Sequence, residues 1–411
     1  MLPHVNRDGT PWGHAAIRGD VVPVQAQQGR TANLPLLDLR ELTPMRVVRV
    51  IGVLEPGGAQ LSALRLARAQ AALGVETRVL AGDATPQGLA LARHFGFEAD
   101  ALQVHDEIAH SPRQWTPDPL FTEWLGTRTA PADLVHAHMF GAWWAAAAAV
   151  SRGVPLVGSE HNTMTWPLGD HGTAAVEASG RLDRLFVHGP GPHAFARDLA
   201  VPSEHVLPGR SAISLHTTPR PGLASPRLTF TGRLREDKGP DLLVHALSSM
   251  HEPPDTYIVG DGPMQQDVRR LIDKLGLQRR VRMTGWSYQP GRYVAGAAVH
   301  VVPSREEAWS QSAVTALALD VPVVATAVDG LPVTLAERRG LLVQPDPAAI
   351  AVGIQQVLAG VADIDIPGGR RYAAKFEPAE IAAHYLDVYR QLLDGRSVGR
   401  RGPTSPVTIT A

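Results

Sequence analysis

From Met45 to Leu393 the chain alternates between two hydrophobic periods. "MRVVRVIGVL" (45–54) is a near-continuous β-branched run, the pattern of a strand covered on both faces. "GGAQLSALRLARAQAALG" then reads as a turn and an amphipathic helix, with Gly74 as its C-terminal stop. "TRVLAG", "DLVHAH", "VPLVGSEH" and "RLFVHG" read as further strands, with helices between several of them. "SLHTTPRPGLASP", Ser214 to Pro226, interrupts the pattern with three prolines and a glycine, as a linker does. The alternation then restarts. "RLTFTG", "TYIVG", "VRMTGW", "VHVVPS", "VPVVAT" and "GLLVQ" are strand patterns. "GPDLLVHALSS" is a helix with Pro240 near its first turn. "PMQQDVRRLIDKLG" places Met264, Val268, Leu271, Ile272 and Leu275 on one helical face. "PAEIAAHYLDVYRQLLDG" is a C-terminal amphipathic helix.

One architecture is therefore used twice. The predicted fold class is α/β, with two Rossmann-like parallel-sheet domains facing across a cleft. The expected divisions are a flexible N-terminal extension (1–44), an N-terminal domain (45–215), a linker (216–226) and a C-terminal domain (227–375). A helix packing back toward the N-terminal domain (376–394) and a disordered tail (395–411) complete the chain. Parallel sheets of this kind bind ligands at the C-terminal ends of their strands, here at the cleft.

Composition narrows the class without deciding it. A length of 411 residues suits two domains, and 44 % hydrophobic with 19 % charged residues is a soluble globular profile. The formal net charge of -1 gives no reason to expect nucleic acid or an anionic membrane as partner. With no cysteine there are no disulfides and no thiolate ligands or nucleophiles. The N-terminus lacks a basic segment followed by an apolar run, and "AWWAAAAAV" (142–150) is too short to span a bilayer. A cytoplasmic enzyme without a transmembrane segment is expected.

The first candidate chemistry lies in "FTGRLREDKGPDLLVHAL", Phe230 to Leu247. Lysine is scarce, being confined to Lys238, Lys274 and Lys375. Arg233 and Lys238 nevertheless follow a strand end and precede a helix N-terminus, where backbone N–H groups favour anions. A fork of donors beside a point charge matches a diphosphate, and an ordinary solvated turn is the alternative.

A second stretch, "PSREEAWSQSAVTALALDVPVVATAVDGLP" (Pro303 to Pro332), favours the diphosphate. It resembles the donor-site segment of retaining glycosyltransferase family 4, which has the GT-B fold. Ser304, Glu307, Trp309, Ser310, Pro322, Val323, Val324, Ala325, Thr326, Gly330, Leu331 and Pro332 fall on that family's pattern. The Arg233/Lys238 stretch is similar to its Gly-Arg-x-x-x-x-Lys-Gly motif. "YIVGDGPMQQDVRRLIDKLGLQRRVRMTGW" is similar to its Gly-(Asp/Glu)-Gly-Pro and Val-x-(Phe/Leu)-x-Gly elements. The resemblance spans roughly Met45 to Leu393 and is most specific in the C-terminal half.

The resemblance implies that Arg233 and Lys238 hold the diphosphate of a nucleotide sugar, with UDP or GDP as the nucleotide. It implies that Glu307 accepts hydrogen bonds from sugar hydroxyls and that the backbone N–H groups of Trp309, Ser310 and Gln311 lie near the donor sugar. Two departures stand out. Thr315 occupies the place of the family's second Glu, which usually contacts the ribose. Ala308 and Ser310 replace two glycines. In the N-terminal half, Gly57-Gly58 either lets a backbone approach the donor or acceptor or is a plain tight turn. His136 and His138 share one strand face, as core histidines, metal ligands or reacting groups. The family has a His at the position of His138, near the reacting centre. Glu160, His161 and Asn162 end another strand, where the family often has similar polar residues. Trp143 and Trp144 are candidate walls of an acceptor pocket, with packing of the following helix by one or both as the favoured reading.

The implied reaction moves a sugar from a nucleoside-diphosphate sugar to a hydroxyl with anomeric retention, using no separate cofactor and no metal site. The acceptor is either a soluble natural product, such as an aminocyclitol or other glycoside, or a surface polysaccharide. A catalytically silent nucleotide-sugar-binding subunit and a GT-B nucleotide-sugar epimerase are the competing readings.

Overall fold

The computed structural model of the chain describes residues 44–105, 119–161 and 169–400. The expected N-terminal extension apart from Pro44, the tail beyond Arg400, and Asn162 lie outside the described residues.

Two parallel sheets form, as the double alternation requires. The first has seven strands: β1 (Arg46–Leu54), β2 (Glu76–Ala84), β3 (Leu102–Val104), β4 (Leu134–His138), β5 (Leu156–Glu160), β6 (Arg184–Val187) and β7 (Val206–Pro208). Their spatial order is β3-β2-β1-β4-β5-β6-β7, all parallel. The second has six: β8 (Arg227–Thr231), β9 (Asp255–Val259), β10 (Val281–Gly285), β11 (Val299–Val302), β12 (Val323–Thr326) and β13 (Leu341–Val343), in the order β10-β9-β8-β11-β12-β13. Among the described residues no helix is long and apolar enough to cross a membrane.

Each sheet reverses its direction of growth once, between β1 and β4 and between β8 and β11. Such switch points open a crevice beyond the strand ends, because the adjoining connections leave to opposite faces. The segments that follow β1, β4, β8 and β11 are the ones that begin at Glu55, Met139, Gly232 and Pro303. Three of the sequence motifs therefore begin at switch points.

β1 is buried along most of its length, and the middle of this apolar strand carries Arg49, whose side chain is fully buried. The helix Gln265–Lys274 buries Val268 and Ile272, while Met264, Leu271 and Leu275 pack against the same core. The helix Pro378–Arg400 returns to the N-terminal sheet, where Ile381, Tyr385, Leu386 and Tyr389 join Val47, Leu134, Val157 and Phe186 in one hydrophobic cluster. It also runs to Arg400, so 395–400 are helical where a tail was expected. Gly395 does not end it, since a glycine in a helix costs only about 1 kcal/mol. The linker is laid against the C-terminal domain, with Arg220 N donating to the Arg292 carbonyl at 2.9 Å.

Candidate active site at the switch points

Lys238 ends a single 3-10 turn, Glu236–Lys238, and the left-handed Gly239 (φ 60°) then starts the helix Pro240–Ser248. The carbonyl of Asp237 in that turn accepts from the N–H groups of Arg305 (2.7 Å) and Glu306 (3.1 Å). The Arg305 guanidinium grips the Asp241 carboxylate at 2.9 and 2.7 Å. These bonds lace the turn after β8 to the loop after β11 and set two side chains together. Lys238 Nζ lies 3.1 Å from Glu307 Oε1 and donates to the Glu306 carbonyl at 3.3 Å. Burial works against the Lys238 ammonium, but Glu307 and Asp237 more than offset it and hold its pKa above the ordinary lysine value. Glu307 is fixed in turn, accepting from Ser304 Oγ at 3.3 Å while its N–H donates to Asp329 at 2.8 Å. Thr231, Gly232, Lys238, Ser304, Glu307 and Ser312 line a small cavity between these loops.

Arg233 points across to the other domain. Its guanidinium makes a two-pronged contact with Glu55 at 2.7 and 3.2 Å, both side chains remaining about one-third exposed. Gln311 bridges the domains as well. Its Nε2 donates to the Gly58 carbonyl at 2.7 Å, and its Oε1 accepts from Arg65 at 3.0 Å. Burial pulls the Arg65 guanidinium down to about 10. A third contact is made by backbone alone. A Cβ on Gly189 would lie 2.1 Å from the Ala308 carbonyl oxygen, and one on Gly330 would lie 2.0 Å from the same atom. The Ala308 peptide thus threads between a glycine of each domain. Gly189 also has a φ of 115°, which side chains rarely adopt.

Ser310 caps the helix Gln311–Ala318 by accepting from Ala313 N. Trp309 packs its ring 4.9 Å from that of Phe376. Thr315 donates its hydroxyl to the Gln311 carbonyl at 2.7 Å, one turn back in its own helix.

His138 ends β4, beside Ile51 of β1 and Ser159 of β5. It belongs to a buried run of rings. His136 and His138 stack at 4.1 Å, His138 and His161 at 6.0 Å, and His161 and His188 at 3.8 Å. His188 immediately precedes Gly189, so the run reaches the Ala308 contact. Burial pulls His161 down to about 3. Burial first, then the neighbouring rings and Arg49, hold His136 and His138 far below the ordinary histidine value. These rings are neutral donors and acceptors. Among the described residues no group of three or more His, Asp and Glu could hold a metal ion. Glu160 is buried at the end of β5, its Oε1 accepting from His161 N at 3.1 Å.

One expectation is corrected. Among the described residues Trp143 is fully buried against Phe140 and Trp144 is nearly as enclosed, so neither presents a surface to an acceptor. The helix Phe140–Ala149 is apolar on all sides, so its tryptophans face protein in every direction. The structure brings Lys238 and Glu307 together, pairs Gln311 with Gly58, and gathers His138 with His161. It also adds residues that no motif marks. Glu55 stands outside the quoted stretches, and Arg305, Asp329 and Asp241 lie within them with no role assigned there; only the fold shows what they hold.

Comparison with known proteins agrees with this layout. The family model described as Glycosyltransferase Family 4 matches residues 56–206, and that described as Glycosyl transferases group 1 matches 225–360. A protein of Catenulispora acidiphila named D-inositol 3-phosphate glycosyltransferase 1 is 28 % identical over 391 residues, covering 83 % of this chain and 92 % of its own length. A protein of Xylanimonas cellulosilytica named D-inositol 3-phosphate glycosyltransferase is 34 % identical over 222 residues, covering 51 % of this chain. That match spans only about half, 52 %, of the Xylanimonas protein. The crystal structure of Anabaena HepE in complex with UDP superposes with a TM-score of 0.70 at 18 % identity, covering 84 % of this chain and all (100 %) of HepE.

Proposed function

This chain belongs to the family 4 glycosyltransferases and has their GT-B fold, and from that premise we propose that it moves a sugar from a nucleoside-diphosphate sugar to an acceptor hydroxyl with retention at the anomeric carbon. The observation that carries the reading is the pairing of Lys238 with Glu307 at 3.1 Å, beside Arg233, at the strand ends of one switch point. The leaving group is a diphosphate, and its growing charge is neutralised by Arg233 and Lys238. Glu307 accepts hydrogen bonds from the donor sugar, and the start of the helix Gln311–Ala318 carries the backbone N–H groups that face it. The departing phosphate takes the acceptor proton, so no enzyme nucleophile is needed. His138, held neutral, orients a sugar or acceptor hydroxyl. Closure of the two domains excludes water and limits donor hydrolysis.

UDP is the nucleotide we favour, because the HepE structure contains it. The acceptor we favour is a cyclitol or other polyhydroxylated glycoside acted on in the cytoplasm, because the relatives' names specify an inositol phosphate. Thr315 favours a second reading, a subunit that binds nucleotide sugar without turnover.

Thermal unfolding in UDP, GDP, ADP and dTDP, for wild type and Arg233→Ala, tests the donor site. A ligand at about 100 times its Kd adds roughly 2.7 kcal/mol. One nucleotide should stabilise the wild type and lose that effect in the variant. If none stabilises either protein, the donor-site assignment fails. If one binds but no sugar is turned over with any acceptor, the silent-subunit reading replaces the enzyme.

A further inference from the structure

Arg49 is the least expected charge in the molecule. It sits in the middle of β1 with no exposed surface, and among the described residues it forms no ion pair with a carboxylate. Isolated buried charges are expensive, and a strand this apolar would be easier to fold with an aliphatic residue there. Its hydrogen bonds show where the charge is directed. Nη1 lies 3.2 Å from His136 Nδ1 and 3.3 Å from His138 Nε2, and Nη2 donates to Gln70 Oε1.

A guanidinium only donates, so both ring nitrogens that it meets must present lone pairs. The proton of a neutral imidazole then sits on the other nitrogen of each ring. For His136 that is Nε2, which has Ser159 Oγ as its partner at 2.8 Å. The Tyr389 hydroxyl makes the closer contact to the same His136 Nδ1, at 2.6 Å; that nitrogen has one lone pair, so Tyr389 holds the same tautomer and Arg49 is its weaker partner there. For His138 the proton falls on Nδ1, and that buried atom has no hydrogen-bond partner among the described residues. A buried N–H left unpaired is costly unless something else completes it. His138 is the last residue of β4, at a switch point, and its Nδ1 is enclosed in this structure, so a ligand hydroxyl completes it only when the site opens.

We infer that Arg49 is a positioning residue: it fixes His138 as the Nδ1–H tautomer and so leaves a neutral N–H donor for a hydroxyl oxygen of the bound sugar or acceptor. The inference rests on the reading of His138 as a group at the reacting centre. The groups packed on these rings are Arg49 from β1, His136 from β4, His161 after β5, His188 after β6, and Tyr385 and Tyr389 from the C-terminal helix. Among the described residues none of these is a carboxylate; the nearby buried Glu160 accepts from the His161 backbone N–H instead.

Nitrogen chemical shifts of histidine-labelled full-length protein read the tautomer directly and need no substrate. The wild type should show His138 protonated at Nδ1. Arg49→Met should give a mixture of tautomers and a kcat/KM for transfer lower by roughly tenfold, the size of one lost hydrogen bond. It should keep the nucleotide-induced thermal shift, because Arg233 is untouched. Arg49→Lys keeps a cationic donor but on a shorter stem without the fork that reaches His136, His138 and Gln70 together, so it should restore the tautomer only in part. A wild-type ring protonated at Nε2 overturns the inference, and so does a folded Arg49→Met protein whose His138 keeps the Nδ1–H form. A tautomer that shifts in Arg49→Met with no change in transfer would leave Arg49 in control of the ring but remove His138 from the reaction.

Discussion

Thr315 shows what one residue changes. The family pattern has a glutamate there, and this chain has a shorter, neutral side chain whose hydroxyl is donated to the Gln311 carbonyl at 2.7 Å. If the ribose lies over this turn of the helix, the site lacks one charge-assisted hydrogen bond, worth roughly 1.5–3 kcal/mol. Thr315→Glu should therefore tighten nucleotide binding by about one to two orders of magnitude, measured by calorimetry. An unchanged Kd would place the ribose elsewhere. The departure was legible because the surrounding motif favours Glu307 over the adjacent Glu306 as the first acid, which puts the second at Thr315. Glu55 was not legible, since it meets Arg233 across 178 residues and no local pattern announces such a pair.

At the level of elements, the interior strands were readable for a plain reason. β1, β4 and β12 are buried almost throughout, so their sequences are mostly apolar, with Arg49 in β1 and His136 and His138 in β4 among the exceptions. β3 and β7 are three-residue edge strands that were missed; β13 is as short and as peripheral but was read, because its Leu-Leu-Val is apolar throughout while Gln103 and Pro208 interrupt the other two. The helix Pro378–Arg400 was readable as amphipathic, but not that its Tyr389 hydroxyl would end on His136. The turn between β6 and its helix carries a second prediction. Gly189 holds a φ of 115° and leaves no room for a Cβ beside the Ala308 carbonyl. In Gly189→Ala, strain and clash together should cost about 2 kcal/mol or more, and separating the domains is the easiest relief. Scattering should show a larger radius of gyration, and melting should come earlier. A variant as compact and as stable as wild type would show that the contact does not limit the domains' approach.

At the scale of the whole molecule, the two domains meet through exchangeable polar contacts beside a shared apolar cluster. Glu55 occupies the Arg233 guanidinium that we assign to the diphosphate, so donor binding has to exchange a carboxylate for a phosphate. Glu55→Gln should tighten UDP binding several-fold, a small effect because the pair is partly exposed and screened. The gain should shrink at high salt, and equal affinities at low salt would mean that the pair is broken before the nucleotide arrives. Acid tests the molecule as a unit. Burial lowers His161 and His300, in different domains, to about 3, against roughly 6.5 in an unfolded chain. Their folded values are depressed, so their stabilising effect is complete above about pH 6.5 and declines as pH falls toward the folded values. In that window each takes up a proton only on unfolding, which removes about 1.4 kcal/mol per pH unit apiece. His136, His138 and His188 shift in the same direction and add to the slope. Urea midpoints should hardly move from pH 8 to 7 and should then drop steeply from pH 6 to 4, with proton uptake on unfolding. A flat profile across that range would mean that these rings are hydrated in the folded protein, which would remove the enclosed neutral histidine run on which the placement of His138 depends.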